Sequence, residues 1–179
     1  HPAASTAEGN ESRMTDQAEA RGTRRILSTR EEILDAVVDI TRQAHHALAI
    51  LTPDLEPEIY EHEKFLEALK RFILARAFAR VRVLITDPAR AMKTGNQFVS
   101  MGRRLNSYIE FRNVKEEFRN HEEAFCIADR RALVYRADGK RWEGISDSDV
   151  PDVAAKYLEP FDELWHACET EPTVRQAHL

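Results

Sequence analysis

The chain lacks three features that would each assign it to a well-marked class of protein: a long apolar run, paired cysteines and a glycine-rich loop. No apolar stretch approaches the roughly 20 residues that a helix needs to cross a bilayer, so no membrane span is predicted. Cys126 and Cys168 lie within apolar patterns and form no Cys-x-x-Cys pair, which indicates buried free thiols in a reducing compartment. None of the six glycines belongs to a Gly-x-Gly-x-x-Gly or Walker sequence, so no phosphate-binding loop of those types is expected.

An excess of positive charge is also absent. The formal net charge is −5 over 179 residues, so no overall field attracts nucleic acid or an anionic membrane, and nucleic acid is not the favoured partner. The first residues do not show the basic-then-apolar layout of a signal peptide, and a cytoplasmic location is expected. The exception is a locally basic central region, interleaved with glutamates, which is the best indication of an anionic ligand. Its cations are Arg103, Arg104, Arg112, Lys115, Arg119, Arg130 and Arg131.

The composition is that of a single folded domain preceded by a polar segment. Hydrophobic residues make up 42% of the chain and charged residues 32%, which predicts a sizeable core and a soluble, helix-rich protein. Residues 1–24 contain almost no large apolar side chains and cannot bury enough surface to offset the entropy of ordering. We therefore predict a disordered tail or linker over residues 1–24 and one domain over residues 25–179.

Alternating helical and strand patterns begin near residue 28. Ser28 and Glu31 have the spacing of a capping box that begins the first helix. Residues 47–51 and 81–86 are short apolar runs typical of buried strands, and residues 57–78 between them carry a helical apolar stripe. This order predicts a right-handed crossover that joins two parallel strands.

The second half of the chain predicts a hairpin and a closing helix. Residues 121–135 contain two apolar runs separated by an Asp-Arg-Arg turn, which is typical of a β-hairpin. The remaining predictions are a loop (88–95), a helix (98–105), a strand (109–112), a short strand near Trp142 and a helix (153–168) kinked or divided at Pro160. The resulting fold class is α/β, with a mixed sheet flanked by helices on both faces.

Candidate site residues follow the predicted strands. Ligands of α/β sheets bind outside the carboxyl ends of the strands, which here are followed by Asp54 and Asp87. His121, at the entrance of the hairpin, is either a reactive imidazole or a surface histidine that precedes a strand. Glu122 and Glu123 are either general acid–base groups or a solvated pair. No cluster has the spacing of metal ligands, so we expect no metal and no cofactor.

This order of elements resembles one repeat of the phospholipase D-like superfamily over roughly residues 28–168. Residues 49–57 resemble the superfamily's first strand and its exit into a helix, and residues 67–69 with 81–85 resemble its helix and second strand. Phe161 and Trp165 resemble its closing helix. Residues 121–129 fall where the superfamily has its catalytic motif, His-x-Lys-x-x-x-x-Asp. More narrowly, the chain is similar to bacterial single-repeat relatives, some of which are joined to an acetyltransferase domain.

The resemblance implies a phosphodiesterase mechanism whose residues are only partly present. In the superfamily the histidine attacks phosphorus, a second repeat or subunit supplies an acid, the lysine binds phosphate oxygens and the aspartate orients its histidine. His121 matches, but Glu123 occupies the lysine position and Ala128 the aspartate position, with Asp129 one residue later. A carboxylate in place of the ammonium repels the substrate, and a shift of one residue along a strand turns Asp129 to the opposite face.

These departures leave three hypotheses. The first is a phospholipase D-like domain, a single degenerate repeat without catalytic activity, that serves binding, regulation or assembly and for which a phosphate-containing ligand is one option. The second is a variant phosphodiesterase or nuclease that acts as a homodimer through His121, with Asp87 or Arg112 replacing missing groups. The third is an accessory domain that packs on a neighbouring domain. The ligand-binding candidates are Asp54, Asp87, Arg112, Glu123 and Asp129.

Overall fold

The computed structural model describes residues 22–94 and 97–168, which form a mixed sheet with helices on both faces. The strands are β1 (Arg24–Leu27), β2 (Ala47–Thr52), β3 (Arg80–Ile85), β4 (Ile109–Asn113), β5 (Ala124–Ala128), β6 (Ala132–Arg136) and β7 (Gly144–Asp147). The helices are α1 (Arg30–Gln43), α2 (Pro57–Tyr60), α3 (Glu63–Leu74), α4 (Pro88–Thr94), α5 (Gln97–Arg104) and α6 (Pro151–Ala167), with a 3₁₀ turn at Glu116–Phe118. The predicted α/β class is confirmed. No helix within the described ranges is long and apolar enough to cross a membrane.

The strand order is β1-β7-β6-β5-β2-β3-β4. Strands β2, β3 and β4 are parallel to one another, as the predicted strand–helix–strand crossover requires, and the other neighbours are antiparallel. The carboxyl ends of β2 and β3 stay together beyond the strands, because the Thr86 N–H donates to the Thr52 carbonyl at 3.1 Å and the Asp87 N–H to the Pro53 carbonyl. The expected edge for ligand binding is therefore present.

Alternation along β2 divides the core into two layers. Leu48 and Ile50 face the helices α1 to α3 and α5, whereas Ala49 and Leu51 face α6. Fully burying an aliphatic or aromatic side chain of this size contributes about 1.5–3 kcal/mol, so both layers contribute to stability. Cys126 is buried in the first layer and Cys168 in the second, and both thiols are free, as the sequence predicts. Burial raises the pKa of Cys126 to about 12, so this thiol is inert.

Two arginines of the sheet contact helix α6 and hold it against the sheet. Arg112 lies 4.1 Å above the Trp165 ring and donates to the Trp165 carbonyl at 2.6 Å. Arg82 lies 5.6 Å from the same ring and pairs with Asp162 at 2.7 Å. Both guanidinium groups thus lie close to the indole, an arrangement in which cation–π attraction adds to apolar burial.

The N-terminal boundary differs from the prediction in two ways. The capping residue of α1 is Thr29 and not Ser28, since the Thr29 hydroxyl accepts from the Glu32 N–H and donates to the Glu32 carboxylate, both at 3.1 Å. The predicted pattern of a hydroxyl residue followed by a glutamate does begin the helix, but it lies one residue later, at Thr29 and Glu32. Strand β1 was missed because only Leu27 of its four residues is buried, so the strand has no apolar alternation. Residues 1–21 of the predicted tail lie outside the described residues.

Local hydrogen bonds explain two further differences among the helices. The predicted helix over residues 57–78 is divided into α2 and α3, because His62 caps a new helix by accepting the Lys64 N–H at 3.2 Å. The predicted loop over residues 88–95 contains α4, which Asp87 begins by accepting the Arg90 N–H at 3.3 Å. Both caps use side chains that a search for apolar periodicity does not weigh.

The last third of the chain agrees with the predicted hairpin but not with the detail after it. Trp142 lies outside the strands, and β7 begins at Gly144. Helix α6 passes through Pro160 as one helix, not as two short ones. The hairpin turn has positive φ at Asp129 (56°) and Arg130 (60°) and is closed by the Arg131 N–H on the Ala128 carbonyl at 3.0 Å. Three residues thus separate the paired Ala128 and Ala132, and positive φ at both central positions is typical of type I′ turns.

Candidate functional site

The candidate site lies at the carboxyl edge of β2. Strand β5 is antiparallel to β2, with Phe125 opposite Leu51, so the residues that precede β5 lie beside those that follow β2. Gly139 packs closely against this edge: a Cβ at that position would lie 3.3 Å from side-chain atoms of both Ala124 and Pro53. Three segments therefore meet here, namely residues 53–56, 121–123 and 137–143.

The first group of side chains at this edge is the His121 cluster, formed by His121, Glu123, Tyr135 and Tyr157. The His121 Nδ1 lies 3.9 Å from Glu123 Oε1, and the side chains are 33% and 24% exposed. The other oxygen of Glu123 accepts a hydrogen bond from the Tyr135 hydroxyl at 2.9 Å. The Tyr135 ring stacks on Tyr157 at 4.5 Å between centroids. A carboxylate is thereby held beside the imidazole by a fixed phenol.

Tyr135 acts in this cluster as a hydrogen-bond donor. Burial raises the pKa of Tyr135 well above its usual range, and the hydrogen bond and negative charge of Glu123 raise that pKa further. A phenol with a raised pKa keeps its proton at neutral pH and cannot serve as a general base there. Its role is to position Glu123.

The second group is the Arg136 network, formed by Thr52, Glu56, Arg136 and Trp142. Arg136 pairs with the Glu56 carboxylate, and the Thr52 hydroxyl donates to that carboxylate at 3.0 Å. Arg136 also donates to the carbonyls of Gly139 at 3.1 Å and Arg141 at 3.2 Å, and its guanidinium lies 5.0 Å from the Trp142 ring. Arg136 and Glu56 are only 3% and 4% exposed. Every charged group of this network has a partner.

The Arg136 network supports an unusual loop. Burial raises the pKa of Glu56, while the charge of Arg136 and its hydrogen bond act in the opposite direction. The preceding residue, Leu55, is buried with φ of +64°, a conformation that non-glycine residues rarely adopt. Asp54 accepts the Glu56 N–H at 3.1 Å within the same loop. The ion pair thus fixes the backbone between β2 and α2, where strain of this kind persists only with such support.

Two of the predicted ligand-binding residues lie at this edge and serve the fold there. Asp54 is buried and lies 2.9 Å from Arg90. Asp87 is exposed and caps α4. Glu123 is the predicted residue that the structure brings next to His121.

Arg112 and Asp129, which were also predicted as ligand-binding residues, lie elsewhere in the fold. Arg112 lies on β4, three strands from β5, and is engaged by Glu110 and Trp165. Asp129 follows β5, at the opposite end of the strand from His121.

The carboxylate of Asp129 is occupied by the backbone. It accepts the N–H groups of His45 and His46 at 2.7 Å each and that of Ala47 at 3.0 Å. Asp129 therefore ties the hairpin turn to the start of β2. The predicted basic region is divided in the structure. Arg130 and Arg131 lie in this turn, at the amino edge of β2, whereas Arg112 lies near the carboxyl end of β4.

The sequence interpretation missed the Arg136 network. A signal was present, because Arg136 follows Val134 at strand spacing and so occupies a position that faces the core. A charged residue at such a position requires a buried partner. The sequence does not identify that partner, because Glu56 lies 80 positions away.

A groove of about 410 Å³ adjoins the His121 cluster, since Tyr135 contributes to both. The other residues that line it are Ala137, Asp138, Arg141, Glu143, Gly144 and Ile145. Across residues 22–94 and 97–168, no three His, Cys, Asp or Glu side chains are grouped so that they could hold a metal ion. The accessible chemistry of this edge includes one imidazole, carboxylates, a phenol and the exposed cations Arg90, Lys140 and Arg141.

Comparison with known proteins identifies a family and a fold. The sequence model of the family described as "Domain of unknown function (DUF7931)" matches residues 29–177. A search of curated proteins found none that matches this chain.

Three solved structures are similar to the chain. One is Nuc from Salmonella typhimurium, a phospholipase D family member (15% identity, TM-score 0.57, 81% of this chain and 95% of that one). Another is NucT from Helicobacter pylori (12% identity, TM-score 0.57, 84% of this chain and 99% of that one). The third is TrmBL2, an archaeal chromatin protein with a novel mode of DNA binding (12% identity, TM-score 0.56, 93% of this chain and 63% of that one). The phospholipase D-like fold that the resemblance predicts is confirmed.

Proposed function

Because the chain belongs to the DUF7931 family and has a phospholipase D-like fold, we propose that it is a non-catalytic phospholipase D-like domain with a binding, regulatory or assembly role. The observation that carries this proposal is the place of Glu123. This residue occupies the position that the resemblance assigns to a phosphate-binding lysine, and its carboxylate lies 3.9 Å from the imidazole of His121. Tyr135 holds the carboxylate there.

The charge at this position decides whether a phosphodiester can approach. Two unit charges about 4 Å apart interact by about 4 kcal/mol at an effective dielectric constant of 20. Replacing an ammonium by a carboxylate changes an attraction of that size into a repulsion. The rest of the edge does not compensate, because Arg90, Arg136 and Arg141 are paired there with Asp54, Glu56 and Asp138. The carboxylates of Asp87, Glu122 and Glu143 outnumber the exposed ammonium of Lys140.

Hydrolysis of bis(p-nitrophenyl) phosphate tests the proposal. We expect no release of p-nitrophenol above that of His121→Ala, with an active phospholipase D family enzyme as the positive control. Measurable hydrolysis by the wild type that His121→Ala abolishes would refute the proposal. Glu123→Lys restores the cation at the motif position. A gain of phosphate binding in this variant would support the view that the negative charge of Glu123 prevents a phosphodiester from binding.

A second candidate function is a variant phosphodiesterase that acts as a homodimer. The one-third exposure of the His121 side chain favours it, since a substrate could reach the imidazole. A single histidine cannot serve as nucleophile and as proton donor in the same step, so two subunits have to face each other. Sedimentation at concentrations up to about 100 μM separates the candidates: a monomer eliminates this one, and a dimer with His121-dependent hydrolysis replaces the first.

A further inference from the structure

The opposite edge of the sheet, at the amino ends of β2 and β3, is one continuous surface. The Arg80 N–H donates to the His46 carbonyl at 3.1 Å, which joins the connection before β3 to the connection before β2. The Asp129 N–H donates to the Ala47 carbonyl at 2.8 Å, and the Asp129 carboxylate accepts two N–H groups from residues 45–46. The hairpin turn therefore belongs to the same edge.

Exposed cations line this edge. The amino-edge surface consists of His45, His46, Arg76, Phe78, Arg80, Arg130 and Arg131. Apart from Arg76, which is half-buried, these side chains are exposed, and Arg131 has Asp149 at 3.3 Å. The acid at the centre, Asp129, is turned inward to backbone N–H groups. Within the described part of the chain, the Nε of Arg76 is buried and has no hydrogen-bond partner.

A single aromatic ring accompanies these cations. Phe78 is 87% exposed, the highest value among the large apolar side chains of the described residues. It lies between Arg76 and Arg80 in a connection whose other members are alanines. Packing does not explain the ring, since a residue so exposed contributes little to the core. An exposed ring beside arginines is instead the arrangement on which unpaired bases stack.

We propose that the amino-edge surface binds single-stranded nucleic acid. The guanidinium groups of Arg80 and Arg130 contact phosphate oxygens, and Phe78 stacks on a base. The two arginines are separated by about two strand spacings, roughly 10 Å, because β2 lies between β3 and the hairpin. The negative net charge of the chain does not oppose this binding, since charges beyond about 8 Å are largely screened at physiological salt. The proposal requires nothing of His121.

The composition of the surface favours nucleic acid over an anionic membrane. Its cations are arginines, and the planar fork of arginine suits individual phosphates and stacks on rings. Membrane docking relies on clusters of roughly 4–8 lysines or arginines together with several inserted apolar side chains. Here one aromatic ring and Leu74 are the exposed large apolar groups near the cations.

Fluorescence anisotropy with a fluorescein-labelled 16-nucleotide oligouridylate tests the proposal. We expect Phe78→Ala to weaken binding by roughly 5- to 150-fold, the range that one stacked base contributes. Arg130→Ser is expected to lower the slope of log K against log [NaCl] by about 0.7, the contribution of one phosphate contact with a single strand. Both residues are exposed, and circular dichroism of each variant verifies the fold.

The chain offers matched controls at the carboxyl edge. Met92 is 81% exposed, so Met92→Ala removes a comparable apolar side chain, and Lys140→Ser removes an exposed cation. Both are expected to bind like the wild type. The proposal is overturned by absence of binding, by equal losses in the controls, or by binding to phosphatidylserine vesicles without binding to the oligonucleotide. Electrophoresis of the incubated oligonucleotide reports hydrolysis separately, so a failure of the proposed function is distinguished from a failure of this one.

Discussion

Two groups of charged residues at one edge of the sheet differ in what surrounds them. Tyr135 and Arg136 are consecutive in β6, yet the first belongs to the half-exposed His121 cluster and the second to the buried Arg136 network. Alternation along the strand sends the two side chains to opposite faces. The Arg136 network is enclosed on the side toward α1 to α3, and its charges are fully paired. The other face is covered by α6, but the His121 cluster lies at the margin of that face, where it is partly exposed and its ionic contact is long.

The contrast shows why a motif and a stabilising network are easily confused in a sequence. An exposed ion pair contributes about 0–1 kcal/mol, whereas removing one partner of a buried pair costs about 3–5 kcal/mol. The motif residues His121 and Glu123 are therefore expected to contribute little to the free energy of unfolding. Arg136 and Glu56, which belong to no motif, are expected to contribute most.

The largest expected effect is at Arg136. Arg136→Ala leaves the Glu56 carboxylate buried without its partner, and we expect the free energy of unfolding to fall by about 3–5 kcal/mol in urea denaturation. The double variant Glu56→Gln/Arg136→Met, which removes both charges, should recover part of the loss. A loss below about 1 kcal/mol for Arg136→Ala contradicts the assignment of this network as structural.

The pH dependence of stability is the next test. Burial raises the pKa of Glu56 in the folded state above the ordinary value of 4.5, so the folded state binds more protons than the unfolded state in that window. The contribution of this group to stability is therefore present at low pH and is lost as pH rises from 4.5 through the folded pKa, by at most about 1.4 kcal/mol per pH unit. Denaturation of Glu56→Gln should lack this component. An unchanged pH profile in that variant rules the effect out.

Tyr135→Phe tests the His121 cluster. The variant removes the hydrogen bond to Glu123, and we expect a loss of about 0.5–1.5 kcal/mol because water can replace the hydroxyl at a half-exposed carboxylate. Absorbance titration at alkaline pH gives a second readout. Burial raises the pKa of Tyr60 as well as that of Tyr135, so the variant should titrate one tyrosine fewer at high pH than the wild type. An unchanged number of tyrosines in the high-pH component contradicts the role given to Tyr135.

The smallest effect is expected at His121. Its side chain is one-third exposed and its contact with Glu123 is 3.9 Å long, so His121→Ala should change the free energy of unfolding by less than about 0.5 kcal/mol. Thermal denaturation at neutral pH measures this change in stability. A large loss would place His121 with the structural residues and remove the contrast between the two faces.

Much of the fold could be predicted, because apolar periodicity records which side of an element is buried. The parallel pair β2–β3, the hairpin β5–β6 and the closing helix follow from that pattern. Elements without such a record were missed or misplaced: β1 buries one residue, α4 begins at a side-chain cap, and β7 is a short strand in which only Ser146 is buried. In the site, the proximity of Glu123 to His121 follows from their spacing.

By itself, the sequence determined the fold class and the inverted charge at Glu123, since both depend on residue type and local spacing. Only the tertiary structure decided which charges meet. It paired Arg136 with Glu56, turned Asp129 away from His121 to the start of β2, and gathered arginines from two connections at the amino edge. The physical reason is that sheet pairing brings together residues far apart in the chain, and burial then determines which of them must find a partner and which stay available to a ligand.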